Sequence, residues 1–301
     1  MINNSLPGVH CEVSDSIERR QLPFSVVCRS ARLCGFVLMF CALPCIGLAE
    51  DIRWEQLSDG VAVSVWMPGE PCPMVPALLA VDIDPDRTSF AIHHYAQEKL
   101  QQPPTIEEWR QRTGHEVLFN AGLFRENFAY LGLLYKNGRS LGSRRHATWQ
   151  GLFVAEPSAT GLKRARVLDL AAERFDEQHP PYQEAAQALM LLDSSGKIRV
   201  RQTGKQAYQT IVAETKKGHI LILKSRDLTT LYDIGQCLRD SLPVVRQAMA
   251  MDGGSSSDVL VAESLWRGDR QAQDRSAWKA VFGGSAAAHI PLPTVIGVSR
   301  R

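Results

Sequence analysis

The 301-residue sequence carries no Gly-x-Ser-x-Gly elbow, no His-Glu-x-x-His pair and no P-loop, so serine-hydrolase, zincin and nucleotidase chemistry lack their usual carriers. It has no run of lysine and arginine interleaved with aromatics, and its formal charge of +2 is near balance, which argues against a nucleic-acid partner. Low-complexity tracts and internal repeats are missing. Cysteine is scarce over most of the chain: Cys11, Cys28, Cys34, Cys41 and Cys45 all precede residue 50, and only Cys72 and Cys237 follow. Their spacing resembles no zinc site. What remains is a globular composition, 45% hydrophobic and 22% charged, long enough for one large domain or two small ones.

The clearest compositional break lies at the start. Arg19, Arg20, Arg29 and Arg32 precede an apolar stretch from Leu33 to Leu48, and Gly47-Leu48-Ala49 supplies small residues ahead of acidic Glu50 and Asp51. This pattern predicts a cleavable signal peptide over residues 1–49, leaving a domain over 50–301 in a periplasmic or secreted protein with no stable membrane span after cleavage. An uncleaved anchor is the alternative, although the stretch falls short of the roughly 20 residues that cross a bilayer. A twin-arginine route through Arg19-Arg20 is a further alternative. In an oxidising compartment the surviving pair, Cys72 and Cys237, suggests one disulfide; two unrelated buried thiols are the other reading.

Along the remaining chain, period-two patterning predicts strands between Ile52 and His94, with a denser apolar run at Ala77 to Ile83. Thr105-Ile106-Glu107-Glu108 has the form of a capping box and predicts a short helix ending near Gly114. Val117 to Phe119 reads as a brief buried strand, and Asn137-Gly138 as a hairpin turn. Further strands are expected at Gly151 to Ala155, Ala188 to Leu192, Lys197 to Arg201, Gln209 to Ala213, His219 to Leu223, Val244 to Met251, Asp258 to Ala262 and Leu292 to Val298. Leu231, Ile234 and Leu238 mark a helix that Asp227 or Thr229 would cap. Glu156 to Pro181 reads as a surface excursion and Arg267 to Ser276 as a polar insert. Many strands beside two or three flanking helices predict an α+β fold with a mixed, largely antiparallel core in a single domain.

Two segments are the candidates to carry chemistry. In Met251-Asp252-Gly253-Gly254-Ser255-Ser256-Ser257, an apolar strand delivers a carboxylate, two glycines and three hydroxyls to one loop, a form suited to cradling an anion. A tight Asp-Gly turn between two antiparallel strands would demand the same glycines. In Asn120-Ala121-Gly122-Leu123-Phe124-Arg125-Glu126, a second strand brings an amide and a glycine to a loop, where Asn120 would meet a sugar or phosphate oxygen or else cap its own strand. The pair His93-His94 sits on an expected strand with one ring toward solvent. Trp149, Trp266 and Trp278 would stack on sugar rings or pack in the core or at the rim.

Taken in order, these pieces resemble the phosphodiester glycosidase family, the family of uncovering enzymes. Asn120-Ala121-Gly122-Leu123-Phe124 is similar to its Asn-Ala/Gly-Gly-Phe/Met-Phe segment, and Leu131-Gly132-Leu133-Leu134 with Asn137-Gly138-Arg139 to the hairpin that follows. Met251-Asp252-Gly253-Gly254-Ser255-Ser256 is similar to its closing motif, and Leu292-Pro293-Thr294-Val295-Ile296 to its terminal strand. Where the family often has Arg-Thr, this chain has Gln209-Thr210, which removes a bidentate phosphate contact that Lys205 or Arg201 would have to replace.

The resemblance implies hydrolysis of the bond between an anomeric carbon and a phosphodiester oxygen, in a sugar-phosphate or glycan of the envelope or the extracellular space. On that reading Asp252 is base or orienting group, Asn120 fixes the substrate and Glu126 is the second carboxylate. Gly122, Gly253, Gly254, Ser255, Ser256, Gln209 and Thr210 would contact substrate or phosphate. The sequence assigns no cofactor with certainty, and Asp252 is also a candidate ligand for a divalent cation. The rivals are a non-catalytic protein that binds phosphorylated or anionic polysaccharide and a phosphodiesterase that cuts the P–O bond.

Overall fold

The computed structural model describes residues 52–266 and 289–301. The expected signal peptide, the polar insert and Trp278 lie outside the described residues. In chain order come β1 (Glu55–Ser58), β2 (Val61–Trp66), β3 (Leu78–Ile83), β4 (Thr88–His94), α1 (Ile106–Thr113), β5 (Val117–Asn120), β6 (Leu134–Lys136), β7 (Arg139–Ser140), β8 (Gly151–Pro157) and β9 (Ala165–Asp169). They are followed by β10 (Tyr182–Leu192), β11 (Thr210–Thr215), β12 (Ile220–Ser225), α2 (Leu231–Ser241), β13 (Val245–Ala250), β14 (Val259–Val261) and β15 (Thr294–Arg300).

Among the described residues the strands form two sheets. The larger has eleven strands ordered β1-β2-β3-β12-β11-β13-β10-β6-β7, with β8 on β10 and β9 on β8; the smaller has four, ordered β14-β5-β15-β4. The core was expected to be mixed and largely antiparallel, and the strand pairings among the described residues are all antiparallel.

Strand periodicity explains the layering. Alternate residues point to opposite faces, so Leu79, Val81, Ile83, Val212 and Met249 of the large sheet meet Val117, Phe119, Ile296 and Val298 of the small one in a shared core. The intervening Leu78, Ala80, Ile211, Ala213, Ala248 and Ala250 face the other way and pack with Ile234, Cys237 and Leu238 of α2. On the far side of the small sheet, Leu118 and Val295 receive Ile106 and Trp109 of α1. The order is therefore helix, sheet, sheet, helix. Central strands apolar on both faces have little choice but to lie between two layers.

The local signals act as the residues dictate. Thr105 Oγ1 accepts the Glu108 N–H at 3.3 Å while the Glu108 carboxylate accepts the Thr105 N–H at 2.8 Å, and Gly114 closes α1 in the left-handed region. Asn137 and Gly138, at φ of 50° and 71°, make the two-residue turn between β6 and β7. Two expectations change. The cap of α2 is Thr230, whose hydroxyl accepts the Asp233 N–H at 3.0 Å, in place of Asp227 or Thr229. Lys197 to Arg201 contributes one isolated bridge, Leu192 to Ile198, and no strand, and the Arg199 side chain pairs with Asp169 and Asp193.

Cys72 and Cys237 form a disulfide, with Cα atoms 5.6 Å apart, that ties α2 to the segment before β3. Among the described residues no helix is long and apolar enough to cross a membrane.

Candidate active site

β13 and β14 belong to different sheets, so the segment joining them, which carries Asp252, passes from one sheet to the other and is no hairpin turn. It meets the loop after β5 where the two sheets abut. The Asp252 N–H donates to the Ala121 carbonyl at 3.0 Å, and the Met251 N–H to Thr210 at 2.8 Å. Asn120 completes the join. Its Nδ2 donates to the Asp252 carbonyl at 2.7 Å and to the Ala121 carbonyl at 3.2 Å, and its Oδ1 accepts the Asp258 N–H at 3.0 Å. At 1% exposure the amide is buried and fully engaged within the loop, where the sequence expectation had placed it against a sugar or phosphate oxygen.

The two glycines after Asp252 serve different ends. Gly253 has ordinary dihedrals, but a Cβ there would lie 2.9 Å from both the Tyr208 carbonyl and Gln209 Oε1, so the close approach excludes a side chain. Gly254 has open space around it and a φ of +70°, a conformation that side chains resist. The two were expected to present donors to phosphate, but both N–H groups are engaged within the protein. The Gly254 N–H goes to the Tyr208 carbonyl at 2.8 Å, and the Gly253 N–H turns back to the Asp252 carboxylate.

The Asp252 carboxyl also binds the Ser256 side chain. Burial raises its pKa to about 6, and the bonds from Ser256 and Gly253 offset part of that rise. Asp252, Gly253 and Gly254 line a cavity of about 760 Å³ together with Trp149, Gln209, Tyr232 and a set of aliphatic side chains. Trp149 stacks on His146, ring centroids 3.9 Å apart. On the wall Asp252 is the only acidic side chain among the described residues, against Arg199, Arg201 and Lys205.

Other expected site residues fall elsewhere. Glu126 is exposed on the turn closed by the Phe128 N–H to the Arg125 carbonyl and does not line the cavity. Thr210 is buried against Ser257, hydroxyls 2.8 Å apart, and Ser255 is exposed outside the cavity wall. Gly122 is buried beneath the site: its N–H donates to the Tyr130 hydroxyl at 3.1 Å, which itself donates to the Gln187 carbonyl at 2.7 Å, and a Cβ would strike both. Gln209 does reach the cavity, its Nε2 donating to the Thr229 carbonyl at 3.2 Å. The pair His93-His94 does not line the wall. His94 is buried, and His93 bonds Glu98 at 2.5 Å and His115 at 2.8 Å instead of facing solvent. Sequence reasoning missed Leu189 and the first turn of α2, Thr230 to Tyr232, as parts of the wall. No local pattern marks them. Among the described residues no cluster of three or more His, Cys, Asp or Glu side chains is arranged to hold a metal ion.

No curated protein matches the chain significantly in sequence. Among solved structures, a hypothetical protein from Synechocystis is similar at a TM-score of 0.56 and 13% identity, covering 83% of this chain and 64% of that one, so this chain spans under two thirds of that protein's length. The zebrafish N-acetylglucosamine-1-phosphodiester alpha-N-acetylglucosaminidase catalytic domain, auto-inhibited by its pro-peptide, is similar at a TM-score of 0.50 and 15% identity, covering 83% of this chain and 82% of that domain. At such identities the likeness is one of fold. The phosphodiester glycosidase family model matches residues 113–299, a span that holds both Asn120 and Asp252 and more than half of the sequence, and the chain belongs to that family.

Proposed function

We propose that this protein hydrolyses the bond between a sugar's anomeric carbon and the oxygen of a phosphodiester. The observation that carries the reading is a partly buried carboxylate, Asp252, with a pKa raised to about 6, the only acidic side chain among the described residues on the wall of a cavity of about 760 Å³. Most glycosidases need two carboxylates, one to protonate the leaving oxygen. A phosphate departs without that help, so one base suffices for this substrate class. Above its pKa Asp252 takes a proton from water as the oxygen attacks the anomeric carbon, and a carboxylate poised near neutral pH suits that task.

Asn120 acts at one remove. By holding the Asp252 carbonyl it fixes the main chain from which the carboxylate projects. Trp149 and Tyr232 offer aromatic faces to a sugar ring. The zebrafish relative is named for an N-acetylglucosamine-1-phosphodiester; we extend to this chain the class of bond and leave the sugar open. We further propose that the protein is exported and acts on envelope or extracellular glycan, which the Arg-rich apolar leader and the Cys72–Cys237 disulfide support.

Hydrolysis of a panel of glycosyl phosphodiesters in oxygen-18 water tests the reading. Label in the sugar is the expected result. Label in the phosphate would make the enzyme a P–O cleaving phosphodiesterase, and no turnover across the panel would leave a binding protein.

A further inference from the structure

An anionic substrate needs a partner for its phosphate, and most polar groups on the cavity wall are already engaged. The N–H groups of Gly253 and Gly254 are committed to Asp252 and Tyr208. Gln209 Nε2 donates to Thr229. Arg199 lies between Asp169 at 2.8 Å and Asp193 at 3.3 Å and also bonds Gln150, so its charge is neutralised and its fork filled. Two cations remain. Arg201 and Lys205 sit four positions apart on the segment between β10 and β11, both exposed and both on the wall, and neither enters an ion pair among the described residues. The surface beside them is mostly apolar, formed by Leu123, Leu189, Val200, Leu231 and Met251. Low-dielectric walls strengthen the attraction between a fixed cation and an entering anion.

We propose that Arg201 and Lys205 form the anion-binding side of this cavity and hold the phosphate that leaves. The assignment rests on the function proposed above and adds to it a division of labour, with base and phosphate clamp on separate segments. The charge balance says when the clamp matters most. A phosphodiester carries one negative charge. As water oxygen bonds to the anomeric carbon, the carbon–oxygen bond to phosphate breaks and its electron pair stays with phosphate, giving a monoester dianion. The proton from water passes to Asp252 and then to solvent. Attraction to Arg201 and Lys205 therefore grows along the reaction, and interactions that strengthen in the transition state raise kcat.

The test uses the full protein with Arg201→Gln, Lys205→Gln, the double variant, and the charge-keeping pair Arg201→Lys and Lys205→Arg. Each is assayed on methyl glycosyl phosphates and on neutral 4-nitrophenyl glycosides of the same sugars, and titrated calorimetrically with methyl phosphate. Each glutamine variant is expected to lose about 10-fold in kcat/KM on the diester, less than the loss of an enclosed donor because both side chains reach solvent, and the double variant about 100-fold. The kcat should carry most of the loss, charge-keeping variants should recover most of it, and any nitrophenyl glycoside turnover, whose leaving phenolate carries one charge and no phosphate, should fall by clearly less than that of the diester. Methyl phosphate should bind the wild type and not the double variant. Equal diester hydrolysis by wild type and double variant, or parallel losses on neutral and charged substrates, would overturn the assignment, as would a wild type that does not bind methyl phosphate. A wild type that hydrolyses no diester yet binds methyl phosphate through these two residues would refute the hydrolase and leave the anion site standing.

Discussion

The side-chain amide of Asn120 donates to the main-chain carbonyl of Asp252 at 2.7 Å, joining residues 132 positions apart in the chain. With its acceptor on the Asp258 N–H, that one side chain holds both ends of the loop that carries the carboxylate. Asn120→Ala would bury an unpaired carbonyl and an unpaired N–H, at a cost of roughly 1–3 kcal/mol each. We expect a loss of about 2–4 kcal/mol in urea unfolding and a fall in kcat exceeding any rise in KM. Glu126→Gln, on the exposed turn, should change neither by more than about 2-fold. An Asn120→Ala enzyme with wild-type kcat would show that the clamp is dispensable.

Asp252 links activity and stability with opposite signs. As a base it must be ionised, so kcat/KM should climb with pH through about 6 and level off above it. Its folded pKa lies above its unfolded one, so the native state binds the proton more tightly and wild-type stability falls as pH rises from about 4 to about 6. Asp252→Asn removes that penalty. The variant should be inactive yet more stable by up to about 3 kcal/mol at pH 8, with the gap closing near pH 4. Thermal melts at the two pH values decide it, and a variant less stable than wild type at pH 8 would contradict the cause assigned to the shift.

Alanine at the two loop glycines should behave differently. Gly254→Ala meets open space and pays mainly for its positive φ, about 1 kcal/mol. Gly253→Ala must displace the Tyr208 carbonyl, which is main chain, as well as the Gln209 side chain in the cavity. Diester hydrolysis should fall at least about 10-fold further in Gly253→Ala than in Gly254→Ala, a comparison made directly by initial rates.

Reducing Cys72–Cys237 opens a constraint across 165 positions, for which chain entropy gives about 5 kcal/mol. The paired Cys72→Ser and Cys237→Ser variant should unfold at lower denaturant, insensitive to reductant. Because the first turn of α2 lines the cavity, its KM should also rise. Equal midpoints for oxidised and reduced wild type would remove the bond from the stability account.

Much of the fold was legible where one residue type answers one physical need. The Thr105–Glu108 box, the Asn137-Gly138 turn and the spacing of Leu231, Ile234 and Leu238 all speak through local geometry. What escaped notice depended on partners far along the chain. β9 lay hidden inside Glu156 to Pro181 because Arg166 breaks its apolar run, and only the structure supplies Glu173 and Glu214 as its charge partners. Glu214, fully buried in β11, looks misplaced until Lys163, Arg246 and the Val167 N–H are seen around it. The site divides in the same way. That a strand-end Asp-Gly-Gly and a strand-end Asn are candidates for chemistry could be read from their order along the chain and the family it resembles; that the Asn amide would be consumed in holding the Asp could not. Glu126 misled because nearness within a motif is not nearness in space.

β15, the last strand described, lies in the interior of the small sheet, hydrogen-bonded to β4 on one side and β5 on the other. A polypeptide that stops before Thr294 would leave two long-separated partners with raw edges, each open to any passing strand. Assembly of this layer therefore waits for β15, and a chain still lacking it exposes the unpaired strand edges through which partly folded proteins associate.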